Sequence, residues 1–245
     1  MPKPCRWPAP PTAPTRDRRV KRHLIGAAAV LLVVAACGEK GSAPMKPAPQ
    51  SVAESAVETL LLTPTQLNGI MGTTTLVGAP VLRAMDDHKN LLPNLNCLGV
   101  WQIDESAIYG KNTYTAVRQQ MLRTPDTDEW DALVAQSVVH YPTLDAARRF
   151  FDESAARWSK CVNHHVNITV NDRKLPKWLS GDLARTDTRL DMPITRGTGD
   201  QTRWCQHTLR LAANVIIDVE ACAKQQPVTA AATIADTIAD EVARS

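Results

Sequence analysis

The 245 residues carry a formal charge of +3 and only two phenylalanines, and their length accommodates one domain or two small ones. The charge is unevenly placed. Residues 1–36 hold Lys3, Arg6, Arg16, Arg18, Arg19, Lys21 and Arg22 against Asp17, so the rest keeps 21 of the 28 basic and 24 of the 25 acidic residues, a net −3. That remainder has no Arg/Lys stripe interleaved with aromatics, which argues against nucleic-acid binding.

Arg18, Arg19, Lys21 and Arg22 precede an apolar run from Leu24 to Ala36. This is the length of a signal-peptide core and well short of the roughly 20 residues a bilayer span needs. Val34-Ala35-Ala36-Cys37 follows in register and looks like the lipobox of bacterial lipoproteins. In that family the cysteine sulfur receives a diacylglyceryl group and becomes the first residue after cleavage. Residues 1–36 therefore read as a lipoprotein signal peptide and Cys37 as the lipidation site. Two acyl chains would anchor stably where one is marginal. The proline-rich start (MPKPCRWPAPPTAPTRDRR) is long for such a leader, so translation is expected to begin at Val20. Residues 37–58, small, polar and proline-containing, read as a tether, and 59–245 as the globular domain.

Within the domain, Thr63 caps a short helix that has Pro64 in its first turn and Gly72 past its end. Residues 73–96 read as irregular, and the stretch after Cys97 as a glycine-containing loop. Segments 114–123 and 132–141 read as strands. From Thr143 a helix is marked by Leu144, Ala147, Phe151, Ser154, Ala155, Trp158 and Cys161 at intervals of three and four. Weaker strand patterns cover 166–171 and 182–192, and strong ones 203–212 and 215–222. Pro227 opens a last helix whose face is Ala231, Ile234, Ile238 and Val242. Helices that bracket and interrupt antiparallel strands make the class α+β.

Four cysteines remain beyond Cys5 and Cys37, an even number for a chain routed to an oxidising compartment. A two-residue turn at Ala213-Asn214 places residues summing to 427 opposite each other. Cys205 and Cys222 meet that condition on a non-hydrogen-bonded pair, where the Cα atoms approach closely enough for a disulfide. Cys97 is left for Cys161. No CxxC pair or His/Cys cluster has zinc spacing, so no metal is expected. At the turn, Asn214 is the residue that tolerates positive φ.

These segments together resemble the PknH-like extracellular sensor domain family of mycobacteria. The resemblance is carried by Cys97-Leu98-Gly99, Tyr114 to Arg118, Gln136 to Val139 leading into Ala146 to Phe150, Trp158 to Cys161, Trp204-Cys205-Gln206, and Asn214 to Val219 ending at Cys222. It covers about residues 60–244. It implies an antiparallel sheet packed with helices, the two disulfides in the same pairing, and a cleft for an unidentified ligand. No segment of this chain reads as a kinase domain or a transmembrane helix, so direct signalling across the membrane is not expected.

His207 falls opposite Glu220 in the 427 register, on the face that also carries Asp218. Such a trio could floor a ligand cleft or form an acid–base pair. The alternative is a solvent-facing cross-strand pair worth roughly a few tenths of a kcal/mol. Trp101, Tyr109 and Tyr114 are the aromatic candidates for the same cleft, with core packing as their alternative. Asp86-Asp87-His88 reads as a solvated loop. Gly-x-Ser-x-Gly, HExxH, phosphate-loop and Ser-x-x-Lys patterns are missing, so neither a catalytic residue nor a cofactor is assigned. The reading is a sensor-type ligand-binding lipoprotein on the extracytoplasmic face of the cell membrane. Its partners are the membrane, through the lipid, and an unidentified small-molecule or envelope ligand. The alternative is an envelope lipid or glycan carrier, or a hydrolase with an unmarked site.

Overall fold

A computed structural model describes residues 50–110, 113–170, 172–224 and 229–245. Val20, the leader, Cys37 and Pro227 lie outside them. Eleven antiparallel strands are present among the described residues: β1 (Val77–Gly78), β2 (Ala116–Thr124), β3 (Ala132–His140), β4 (His165–Val166), β5 (Thr169–Val170), β6 (Arg173–Lys174), β7 (Trp178–Ser180), β8 (Ala184–Arg185), β9 (Arg189–Arg196), β10 (Arg203–Ala212) and β11 (Val215–Ala223). The main sheet runs β1-β2-β3-β11-β10-β9-β7-β4, with β8 also on β9, while β5 and β6 form a separate hairpin. Among the described residues the helices are α1 (Pro64–Met71), α2 (Leu95–Trp101), α3 (Ser106–Tyr109), α4 (Leu144–Trp158) and α5 (Ala230–Val242), plus 3-10 helices at Glu54–Thr59 and Gly199–Gln201. The fold is α+β, as the sequence implied.

Side-chain alternation divides this sheet between two cores. On one face Ile217, Val219 and Ala221 of β11 pack with Leu67 of α1 and with Ala231, Ile234 and Ile238 of α5. On the other, Leu209 and Ile216 meet Phe150, Phe151 and Trp158 of α4 and the α2 residues Leu98 and Trp101. Local chemistry sets the helix starts. Thr63 and Gln66 form a reciprocal capping box at α1, and Gly72 closes it at φ 66°. At α4 the Thr143 hydroxyl accepts from the Ala146 amide at 3.1 Å.

The β10–β11 register is the expected one, from Ala212 opposite Val215 to Cys205 opposite Cys222. Disulfides join Cys205 to Cys222 (Cα atoms 4.0 Å apart) and Cys97 to Cys161 (5.2 Å). At the turn, however, Ala213 takes the positive φ of 51°. Asn214 is committed elsewhere. Its side chain is buried, accepting from the Val52 amide at 2.8 Å and donating to the Val52 and Tyr141 carbonyls.

That contact moves the start of the domain. Val52 and Val57 are buried and residues 54–59 are helical, so the last residues of the expected tether belong to the fold. Apolar side chains spaced five apart in an otherwise polar stretch found a core to enter. Residues 73–96 are also better held than their sequence implied. Leu82 and Gln119 exchange backbone hydrogen bonds, and the Gln119 side chain donates to the Ala84 carbonyl. The expected loop after Cys97 is largely α2 and α3, the former capped by the Asn94 side chain. Of the weaker strand patterns, 166–171 splits into β4 and β5, while β9 extends four residues past 192 to Arg196.

Candidate functional site

Two polar constellations occupy the face of the sheet that carries α4. The first is sealed. His207 and Asp218 point under α2–α4, with the imidazole Nε2 2.6 Å from Asp218 Oδ1. Its Nδ1–H donates to the Val100 carbonyl of α2 at 2.7 Å. Asp218 Oδ2 accepts from the Tyr109 hydroxyl of α3 at 2.7 Å and from the Asp104 amide at 3.4 Å. Asp104 holds its backbone at φ 51° and buries its carboxyl beside Ser137.

Burial and its neighbours set the charges here. Burial pushes the Asp104 carboxyl well above the usual range, and the Asp218 charge adds to this against a smaller opposing effect of Ser137. Burial pulls His207 down, but the charge and hydrogen bond of Asp218 outweigh it and leave the imidazole raised. Burial lifts Glu220 to about 7, against the pull of His207 and Arg196. Among the described residues its hydrogen-bonding contact is Cys222 Sγ at 3.5 Å. A disulfide sulfur has no hydrogen to donate, so this contact suits the protonated acid.

The expected cleft residues therefore gather, but not in a cleft. His207, Asp218 and Glu220 are no more than 3% exposed, which also overturns the reading of a surface charge pair. His207 hydrogen-bonds diagonally to Asp218 and not across to Glu220. Trp101 packs edge-on against Trp178 and lines only a water-sized crevice, and Tyr109 stacks on Phe150 at 4.2 Å. Tyr114 is half-buried against the same core. The Asp86–His88 loop is docked, not free: His88 Nδ1 lies 2.5 Å from Oε1 of the buried Glu105. Cys205, Cys222 and Glu220 cluster as metal ligands would, yet both sulfurs are committed to the disulfide and offer no thiolate.

The second constellation is open and was missed. A cleft of about 730 Å³ lies at the end of the sheet, between the end of β2 with the β2–β3 connection (Arg123; Asp128, Glu129, Trp130) and the segment from β6 (Arg173, Leu175, Pro176). Arg196 and Arg203, opposed in the β9–β10 register, also line it. The Arg196 guanidinium carbon sits 5.0 Å from the Trp130 ring centre and 5.8 Å from that of Trp178. Arg203 donates from Nε to the Trp130 carbonyl at 2.8 Å. Burial and the neighbouring Arg203 lower the pKa of Arg196, against the opposing pull of Glu220. A register for β9–β10 would have exposed this pairing, but it needs the strand carried to residue 196. The return from that strand passes Gly197 at φ 82°, where a Cβ would fall 2.5 Å from the Gln201 carbonyl oxygen.

An antiparallel sheet covered by helices on both faces and stapled twice beneath α4 defines a disulfide-bonded α+β domain. The comparisons with known proteins agree and go further. Residues 52–241 match the PknH-like extracellular domain model, and the chain belongs to that family as a PknH-like sensor domain. It is 29% identical over 248 residues to the serine/threonine-protein kinase PknH of Mycobacterium bovis, covering 96% of this chain and 41% of the kinase. PknH of Mycobacterium tuberculosis H37Rv is 29% identical over 228 residues, 88% of this chain and 36% of the kinase. The chain thus spans about two fifths of the length of these relatives. The crystal structure of the extracellular domain of PknH from Mycobacterium tuberculosis superposes with a TM-score of 0.72 at 28% identity, covering 81% of this chain and all of the crystallised one.

Proposed function

We propose that the protein is a lipid-anchored sensor module, held by Cys37 on the extracytoplasmic face of the cell membrane, that binds a ligand in the arginine-lined cleft. The observation that carries the binding role is the cleft itself. It is open, of a volume usual for small-molecule sites, and combines aromatic rings with cationic groups. The buried His207–Asp218–Tyr109 network favours binding over catalysis, because it braces α2 and α3 against the sheet and leaves no path for a substrate. Among the described residues no helix is long and apolar enough to cross a membrane, and Val34–Cys37 supports the lipid as anchor.

Native mass spectrometry of the full chain, extracted from the envelope in detergent, tests the binding role. A retained mass that dissociates on unfolding is the expected result; bare protein from every extraction would sink the proposal. For the anchor, Cys37→Ala should leave an unprocessed precursor with no lipid label. Normal processing and labelling of that variant would exclude the lipobox.

A further inference from the structure

We infer that the cleft framed by Arg173, Arg196 and Arg203 is an oxyanion site for a phosphate- or sulfate-bearing ligand of headgroup or glycoside size. The inference rests on the ligand-binding reading above and adds the chemistry of the ligand.

Its centre is Arg196. Among the described residues this guanidinium has neither a hydrogen-bond acceptor nor an ion-pair partner; its contacts are the faces of Trp130 and Trp178. Stacking covers the plane of a guanidinium and leaves its N–H edge available, which is the edge that chelates oxyanions. Arg203 is differently placed. Donation to the Trp130 and Thr202 carbonyls, with a long ion pair to Asp131 at 3.6 Å, fixes it beside the same ring with part of its charge already offset. Arg173, exposed on β6, faces the cleft from the other wall. The fourth arginine, Arg123, is largely neutralised by Asp126 and Asp128.

Two like charges beside one ring repel, and an anion between them would relieve that repulsion. Charges that converge from three strands suit a tetrahedral group with three free oxygens better than a planar carboxylate with two. The cluster is also local. The chain beyond residue 36 is net acidic, so the cleft concentrates positive potential against its surroundings and draws anions to it.

The test uses the full chain in neutral detergent micelles. Calorimetric titration is run with inorganic phosphate, inorganic sulfate and inositol 1-phosphate, and again in micelles doped with phosphatidylinositol. Binding of at least one of these probes is expected, weakened as salt is raised. Arg196→Gln should weaken it at least tenfold, while Lys160→Gln, in the exposed turn after α4, should leave it unchanged. If Arg196→Gln does not fold, Arg173→Gln decides, with at least a threefold loss expected from a variant on an exposed strand. Tighter binding to the doped micelles than to inositol 1-phosphate would assign a lipid headgroup, and equal or weaker binding a soluble ester. Failure of all four probes to bind overturns the inference, as does wild-type affinity in the deciding variant. A neutral ligand found by native mass spectrometry would overturn it too, while leaving the ligand-binding reading intact.

Discussion

The two faces of β11 solve the same problem with opposite chemistry. Towards α5 the strand presents Ile217, Val219 and Ala221 to an aliphatic core, and stability there follows from area removed from water. Towards α4 it presents Asp218, Glu220 and Cys222 to an equally dry interior. Removal of water from that face costs stability unless each group finds a partner. Asp218 finds three, Cys222 is bonded covalently, and Glu220 makes do with a sulfur. One face tolerates trimming, whereas the other depends on particular atoms.

The sharpest break in this contrast is Asp218→Ala. It leaves the His207 imidazole and the Tyr109 hydroxyl buried without their acceptor, which should cost about 3–5 kcal/mol. Ile217→Val, at the next position on the other face, should cost about 1 kcal/mol. Denaturant titration separates the two, and comparable losses would mean that the polar face is not special. The raised pKa of His207 adds a pH signature. Its contribution is full below the unfolded value of about 6.5 and is lost as pH rises through the higher folded value. Asp218→Ala should remove that dependence.

Both disulfides lie on the polar face, and they close loops of different length. Sequence separations of 64 and 17 correspond to about 4 and 3 kcal/mol of loop entropy. Serine at both Cys97 and Cys161 should therefore lower the melting temperature more than serine at Cys205 and Cys222, whose strands keep their hydrogen-bond ladder. The backbone bonds of Leu82 and the docked His88 hold part of the 73–110 segment independently. New proteolytic cleavage in the first variant should concentrate near residues 90–97, next to the lost tie. An equal fall in melting temperature for both variants would reject this ranking.

The helix stripes and the hairpin register were the legible parts. α5 shows its buried stripe as a period, and the 427 register needs only a turn position and a count, so the 205–222 bridge could be derived before any tertiary contact was known. The polar face was misread for a physical reason. A charged residue at every second position normally marks the solvent side of a strand, yet β11 is central and covered on both sides, so Asp218 and Glu220 are buried. The basic cleft was illegible for another reason. Its arginines come from four strands, and Arg196 and Arg203 become neighbours only through a register that the sequence pattern ended too early.

Glu220 offers the subtlest test, because its partner is poor and its charge is costly. The folded protein holds its pKa at about 7, whereas the unfolded value is near 4.5. Between those values the folded state binds more protons than the unfolded one, so this residue lowers stability as pH rises across that window. Below it the acid is neutral in both states and has no effect; above it the penalty is complete, at about 3 kcal/mol. Glu220→Gln keeps the shape and removes the titration. Unfolding free energies of the two proteins should coincide near pH 4 and diverge up to pH 8, with the glutamine form the more stable. Stability curves that stay parallel from pH 4 to pH 8 would show that Glu220 titrates alike in the folded and unfolded protein, its burial offset in full by Arg196 and His207.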